Sequence, residues 1–137
     1  MIDPRLYLKE NLVPRIRKLG FKGSFPHFRR YRDGRNELLT FQFDKYGTGK
    51  FVIEIAVAPQ GDFTTFWGKV IPAGRLTAHD LGTRLRLGTE STQADNWFEF
   101  SSNPDVVIDQ ILSLIESQSD EYYRGMPPPN NAIDRKP

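Results

Sequence analysis

Between Glu37 and Pro59 the chain alternates apolar and polar residues twice, with a Tyr46-Gly47-Thr48-Gly49 break between the two runs. Leu39, Phe41 and Phe43 fall on one side and Thr40, Gln42 and Asp44 on the other; Phe51, Ile53, Ile55 and Val57 repeat the pattern after the break. A two-residue period fits a strand, in which successive side chains point to opposite faces. The glycines give the break the backbone freedom of a hairpin turn. A β-hairpin at the centre of a sheet is the expectation from which the other elements are placed.

Upstream, Asp3-Pro4 opens a helix: the carboxylate accepts from free backbone N–H groups, and proline at the first helical position forfeits no hydrogen bond. Leu8, Leu12, Ile16 and Leu19 line one face, Pro14 predicts a kink or break near Leu12 and Val13, and Gly20 ends the helix with Phe21 folding back. Phe25–Tyr31 predicts a first strand, which Pro26 either puts at a sheet edge or delays in its pairing, and Asp33-Gly34 with Arg35-Asn36 turns the chain into the central hairpin.

Downstream, a long connection from Gln60 to Gly74 carries Phe63, Phe66 and Trp67. Leu81, Thr83, Leu85 and Leu87 then alternate as a fourth strand, and Asn96–Phe100 reads as a short fifth, giving an antiparallel meander. Asn103-Pro104-Asp105 opens a second helix with the stripe Val107, Ile108, Ile111, Leu112 and Ile115, continuing or restarting through Tyr123 as far as Gly125. The fold class expected is α+β: a twisted antiparallel sheet of four or five strands with the N- and C-terminal helices on one face. Leu8, Leu12, Ile16, Ile108, Ile111 and Ile115 should cover Phe41, Phe43, Ile53 and Ile55. Residues 1–125 make one domain, and 126–137, with three successive prolines, an extended or disordered tail.

Composition narrows the classes. The 137 residues suffice for one real core. The chain has no cysteine, which excludes disulfides and thiolate chemistry. The N-terminus lacks the apolar centre of a signal peptide, and Glu54 interrupts the longest apolar run, so a cytoplasmic protein that spans no membrane is expected. Net charge is +2, but residues 1–50 hold twelve Lys and Arg against five Asp and Glu, while the remainder is mildly acidic.

Leu19-Gly20-Phe21-Lys22, Phe28-Arg29-Arg30, and Phe41–Gly47 leading into Phe51–Ile55 resemble the bacterial family catalogued as domain of unknown function 4304. Arg84–Gly88 and Asn96-Trp97-Phe98 are similar to later landmarks of that family. The resemblance covers about residues 5 to 123; it implies a small α+β domain and brings no activity or catalytic residues with it.

His27 and His79 stand 52 positions apart, so neither belongs to a local metal-ligand pair, and no metal or cofactor is expected. His79 beside Asp80 has the residue types of a general base and its orienter, but adjacent residues rarely face one another. Ser91-Thr92 and Ser101-Ser102 have the composition of caps and loops. Gly47-Thr48-Gly49-Lys50 lacks the spacing of a phosphate loop and precedes a strand, where such a loop requires a helix.

Two features remain. Arg29, Arg30 and Arg32 surround the first strand, and Arg84 and Arg86 share a face of the fourth. They either cover a sheet face and pair with Glu54 and Glu99, or converge on a phosphate or a partner's carboxylates. Phe63, Phe66 and Trp67 either complete the core or form a binding hot spot. The expectation is a non-enzymatic protein-binding module, immunity-type or regulatory, with a protein partner. An RNA-binding module using the arginine face is the alternative, and a hydrolase stands behind it.

Overall fold

The computed structural model describes residues 3–88, 96–100 and 103–126. Two short helices, α1 (Pro4–Asn11) and α2 (Val13–Lys18), precede strands β1 (Lys22–Ser24), β2 (His27–Arg32), β3 (Arg35–Phe43) and β4 (Phe51–Pro59). A small hairpin, β5 (Phe63–Thr64) and β6 (Val70–Ile71), and two 3-10 turns lead to β7 (Leu85–Arg86). The C-terminal helix comprises α3 (Pro104–Leu114), a π-helical turn over Ile115–Ser119, and α4 (Asp120–Gly125). The main sheet runs β1-β2-β3-β4-β7, every pair antiparallel, so the α+β meander is as expected.

Local chemistry accounts for the boundaries. The Asp3 carboxylate accepts from the Arg5 and Leu6 N–H groups, and the break between α1 and α2 falls at Leu12, two residues before Pro14. Asp33 and Gly34, with φ of +54° and +75°, form the two-residue turn joining β2 to β3. Positive φ at both central positions matches the strands' right-handed twist. Arg35 and Asn36 already belong to β3.

On one face, Phe28, Leu39, Phe41, Phe51, Ile53, Ile55, Leu85 and Leu87 pack under Leu8, Leu12 and Ile16 from the N-terminal helices and Ile108, Ile111 and Ile115 from the C-terminal one. Phe43 is partly buried at the margin of this core. The π turn keeps Ile115, Ser119 and Tyr123 facing the sheet, at 2%, 0% and 0% exposure. Side chains four apart on an α-helix drift by about 40° per step, and a wider turn absorbs that drift. Tyr123 Oη then donates to the Leu38 carbonyl at 2.7 Å, pinning the helix to β3.

A second core lies on the opposite face. Leu38, Ala56 and Ala58 pack against Phe63, Ile71, Leu76, Ala78 and Leu81, all from the connection between β4 and β7. Strand β4 is therefore buried at all nine positions, so its alternating pattern separates two covered faces, with no wet one.

Three local expectations are corrected. Pro26 delays the pairing and does not make an edge: strand β2 starts at His27, after the turn that holds Pro26, and β1 pairs outside it. A Cβ at Gly23 would meet the His27 carbonyl oxygen at 2.5 Å, so glycine alone permits that approach. The run Leu81–Leu87 divides, with Leu81 in the second core and Leu85 and Leu87 in the first, and only Leu85–Arg86 pair as a strand. Asn96–Phe100 contributes an isolated bridge between Phe98 and Phe51. Ser91-Thr92, Ser101-Ser102 and residues 127–137 of the expected tail lie outside the described residues. No described helix is long and apolar enough to cross a membrane.

Candidate functional site

Strand register aligns a polar row across the face away from the helices. His27 is opposite Thr40, Thr40 opposite Glu54, and Glu54 opposite Arg86, each on a successive strand. The 3-10 turn Ala78–Asp80 roofs the row: the Ala78 N–H donates to Thr40 Oγ1 at 3.2 Å. Thr77 caps this turn, its N–H donating to Asp80 Oδ2 at 2.9 Å.

Glu54 is the centre of the arrangement. It is 4% exposed, yet His79 Nε2 lies 3.3 Å and Arg84 Nε 3.4 Å from its Oε1, and Arg86 Nε donates to Oε2 at 3.2 Å. His79, 3.3 Å from Oε1, is the main influence that holds the carboxyl below its usual range; burial opposes this, and Arg84 and Arg86 add to the lowering. His79 thus has a carboxylate partner, but it is Glu54 from β4 and not its neighbour Asp80. His27 also joins the cluster, its ring centroid 6.3 Å from that of His79 and its Nδ1 3.4 Å from Thr40 Oγ1.

Burial, then the proximity of His79 and of Arg29, lowers the pKa of His27 from 6.5, with Asp80 pulling the other way. The unfolded chain therefore takes up this proton more readily than the folded one. The resulting stability is complete above pH 6.5 and is lost as pH falls below it. The denaturation midpoint of the wild type is expected to fall more steeply between pH 7 and about pH 5 than that of His27→Gln. Parallel pH profiles would show that His27 titrates alike in both states.

The five candidate arginines do not share a surface. Arg30 and Arg32 project to the helix side, where both pair with buried Glu37, and Arg32 reaches Asp120 on α4 at 2.7 Å. Arg30 also lies 4.3 Å over the Phe21 ring. Arg29, Arg84 and Arg86 occupy the other face; Arg29 donates to the Leu76 carbonyl at 3.2 Å, and Arg86 lies 5.7 Å over the ring of Trp97.

The aromatic trio also divides. Phe63 is 2% exposed and anchors the second core, whereas Phe66 and Trp67 are 67% and 61% exposed. They sit at the tip of the β5–β6 hairpin with their rings 5.0 Å apart and nearly perpendicular. This tip is braced: the Gly68 N–H donates to the Thr65 carbonyl at 2.9 Å, and the Lys69 N–H donates to Thr65 Oγ1 at 3.0 Å. Between the two rings and the stretch from His79 to Arg84 lies a pocket of about 190 Å³.

Chemically, the pocket offers two aromatic rings, the Arg84 guanidinium and the His79 imidazole, with Glu54 buried behind the last two. Thr40, the hydroxyl in the row, is fully buried and already accepts from Ala78. No group of three or more potential metal ligands gathers among the described residues. Sequence reasoning offered Glu54 as a partner for the arginines, and Arg84 and Arg86 do pair with it, but it did not place His79 on the same carboxylate or make Glu54 the centre of a site. Its signal was a lone carboxylate inside the apolar run of β4, which a buried strand tolerates only with partners.

The model of the family described as Domain of unknown function (DUF4304) matches residues 12–124. No curated protein and no solved structure matches the chain. The family match takes in every described strand, the roof turn, both histidines and the C-terminal helix as far as Arg124, and so the chain belongs to the DUF4304 family, a domain of unknown function.

Proposed function

We propose that this domain is a non-enzymatic protein-binding module that presents Phe66 and Trp67 to its partner. The observation that carries the reading is the exposure of these two rings on a braced turn, while Phe63 at the base of the same hairpin is buried. Holding two large apolar groups in water contributes nothing to folding. Fixed in place, they lose little freedom on association, and tryptophan is the residue type most enriched at binding hot spots. An immunity-type or regulatory role, in which a small domain covers a surface of another protein, fits such a projection. RNA binding has less support, because the arginines are divided between the two faces and several are held by carboxylates.

The test is affinity capture from native lysate with nuclease-treated and untreated halves, using the wild type, Phe66→Ala and Trp67→Ala as baits. A stoichiometric protein retained after nuclease and lost with either variant is expected. Retention of nucleic acid in place of protein would overturn the reading. Trp67→Ala should shift Tm by no more than ~2 °C, since it removes exposed contacts. A fall of ten degrees or so would make Trp67 a structural residue.

A further inference from the structure

The pocket beneath the Phe66–Trp67 tip suggests what a partner brings to it. At about 190 Å³ it falls below the range of roughly 300–1,000 Å³ typical of small-molecule and cofactor sites, and its size suits one amino-acid side chain. Arg84 and His79 form its polar edge, with 38% and 36% of their side chains exposed. Glu54, its side chain 6% exposed, faces one nitrogen of each from below and so acts as a buried counter-charge; Arg84 Nη1 donates to the His79 and Leu81 carbonyls at 2.9 and 3.4 Å, so Nη2 is the nitrogen that turns to an occupant. Glu54 is shared with Arg86, so the bases facing this one carboxylate outnumber it. Asp80, also on the wall, has its Oδ2 committed to the N–H and hydroxyl of Thr77 at 2.9 and 3.2 Å.

Resting on the protein-binding reading above, we infer that this pocket receives an acidic side chain of the partner. An Asp or Glu carboxylate sits against Arg84 and His79, and a neighbouring apolar residue of the same segment packs on Trp67. A guanidinium N–H gives a carboxylate a charge-assisted hydrogen bond, and partial desolvation beside the aromatic pair strengthens that contact. Buried Glu54 serves as a positioning residue: it fixes Arg84 and His79 without itself reaching the occupant. The partner segment is thus an acidic peptide carrying a bulky apolar residue beside its acid.

Random peptides displayed on phage, selected on the full wild-type chain and counter-screened on Trp67→Ala, provide the test. Binders that require Trp67 should be enriched in Asp or Glu next to a bulky apolar residue. In synthetic copies, changing that acid to its amide should weaken binding to the wild type about tenfold, the scale of a charge-assisted hydrogen bond. The same change should matter little on Arg84→Gln. The amide comparison is made on wild-type protein and does not depend on how well any variant folds. Trp67-dependent binders without acidic preference would overturn this inference and leave the protein-binding reading standing. Absence of any Trp67-dependent binder would overturn both. A single-stranded RNA oligonucleotide that binds more tightly than the best peptide, and loses affinity on Arg84→Gln, would also overturn it and assign the cationic edge to phosphate.

Discussion

Glu37→Ala is expected to destabilise the fold by about 3 kcal/mol, the lower end of what breaking a buried ion pair from one side costs. Glu37 is 1% exposed and accepts from Arg30 Nε at 2.7 Å and Arg32 Nε at 3.0 Å. Removing it leaves two guanidiniums, 14% and 22% exposed, adjacent and without their shared counter-charge. Asp120 compensates in part, because it lies 2.7 Å from Arg32, and it is itself tied to Arg124 at 2.8 Å. The Arg30 guanidinium keeps its bond to the Leu19 carbonyl at 2.9 Å and its stacking on Phe21, which places the effect at the lower end of the range. In a chain of 137 residues such a loss lowers Tm by about 10 °C, measurable by calorimetry or far-ultraviolet circular dichroism. Glu37→Gln, which preserves shape and acceptance, should recover part of it. A shift of less than ~3 °C for Glu37→Ala would mean that solvent screens the pair and that Glu37 adds little to what packing, Asp120 and Tyr123 already supply.

The same residue shows how far the sequence could be read. Periodicity placed Glu37 at the start of a strand but could not say which side chains lie opposite it, because cross-strand partners depend on register. The local signals held: Asp3-Pro4, Pro14, Asp33-Gly34 and Asn103-Pro104 each act within a few residues, and each marks a boundary in the fold. Strand β1 escaped notice because Lys22-Gly23-Ser24 has neither β-branched nor aromatic residues and owes its pairing to the absence of a side chain at Gly23. The run Leu81–Leu87 misled because its alternation is a coincidence of two cores, one on each side of the sheet. The same second core explains the aromatic connection. Phe63 fills it and Phe66 and Trp67 do not, a distinction that composition alone cannot draw.

The polar row is the least local feature, and Glu54→Gln tests it. The four residues come from four strands and span positions 27 to 86, so only the folded register assembles them. Replacing the carboxylate by an amide keeps the volume but removes the charge shared by His79, Arg84 and Arg86, at a site 4% exposed. A loss of about 2 kcal/mol at pH 7 is expected, the scale of hydrogen bonds to a buried charged group. The pH dependence identifies its origin. The contact with His79, reinforced by the arginines against the opposing effect of burial, lowers the pKa of Glu54 from 4.5. Its contribution is therefore complete above that value and disappears as pH falls through the lower folded one. Asp44 and Asp120 have lowered pKa values as well, so acid weakens both proteins, and the difference between them isolates Glu54. That difference should be full at pH 7, begin to close near pH 4.5 and vanish in stronger acid. A gap that stays constant down to about pH 3 would show that Glu54 contributes through shape and not charge, and the row would then be a packing feature carrying no electrostatic pocket above it.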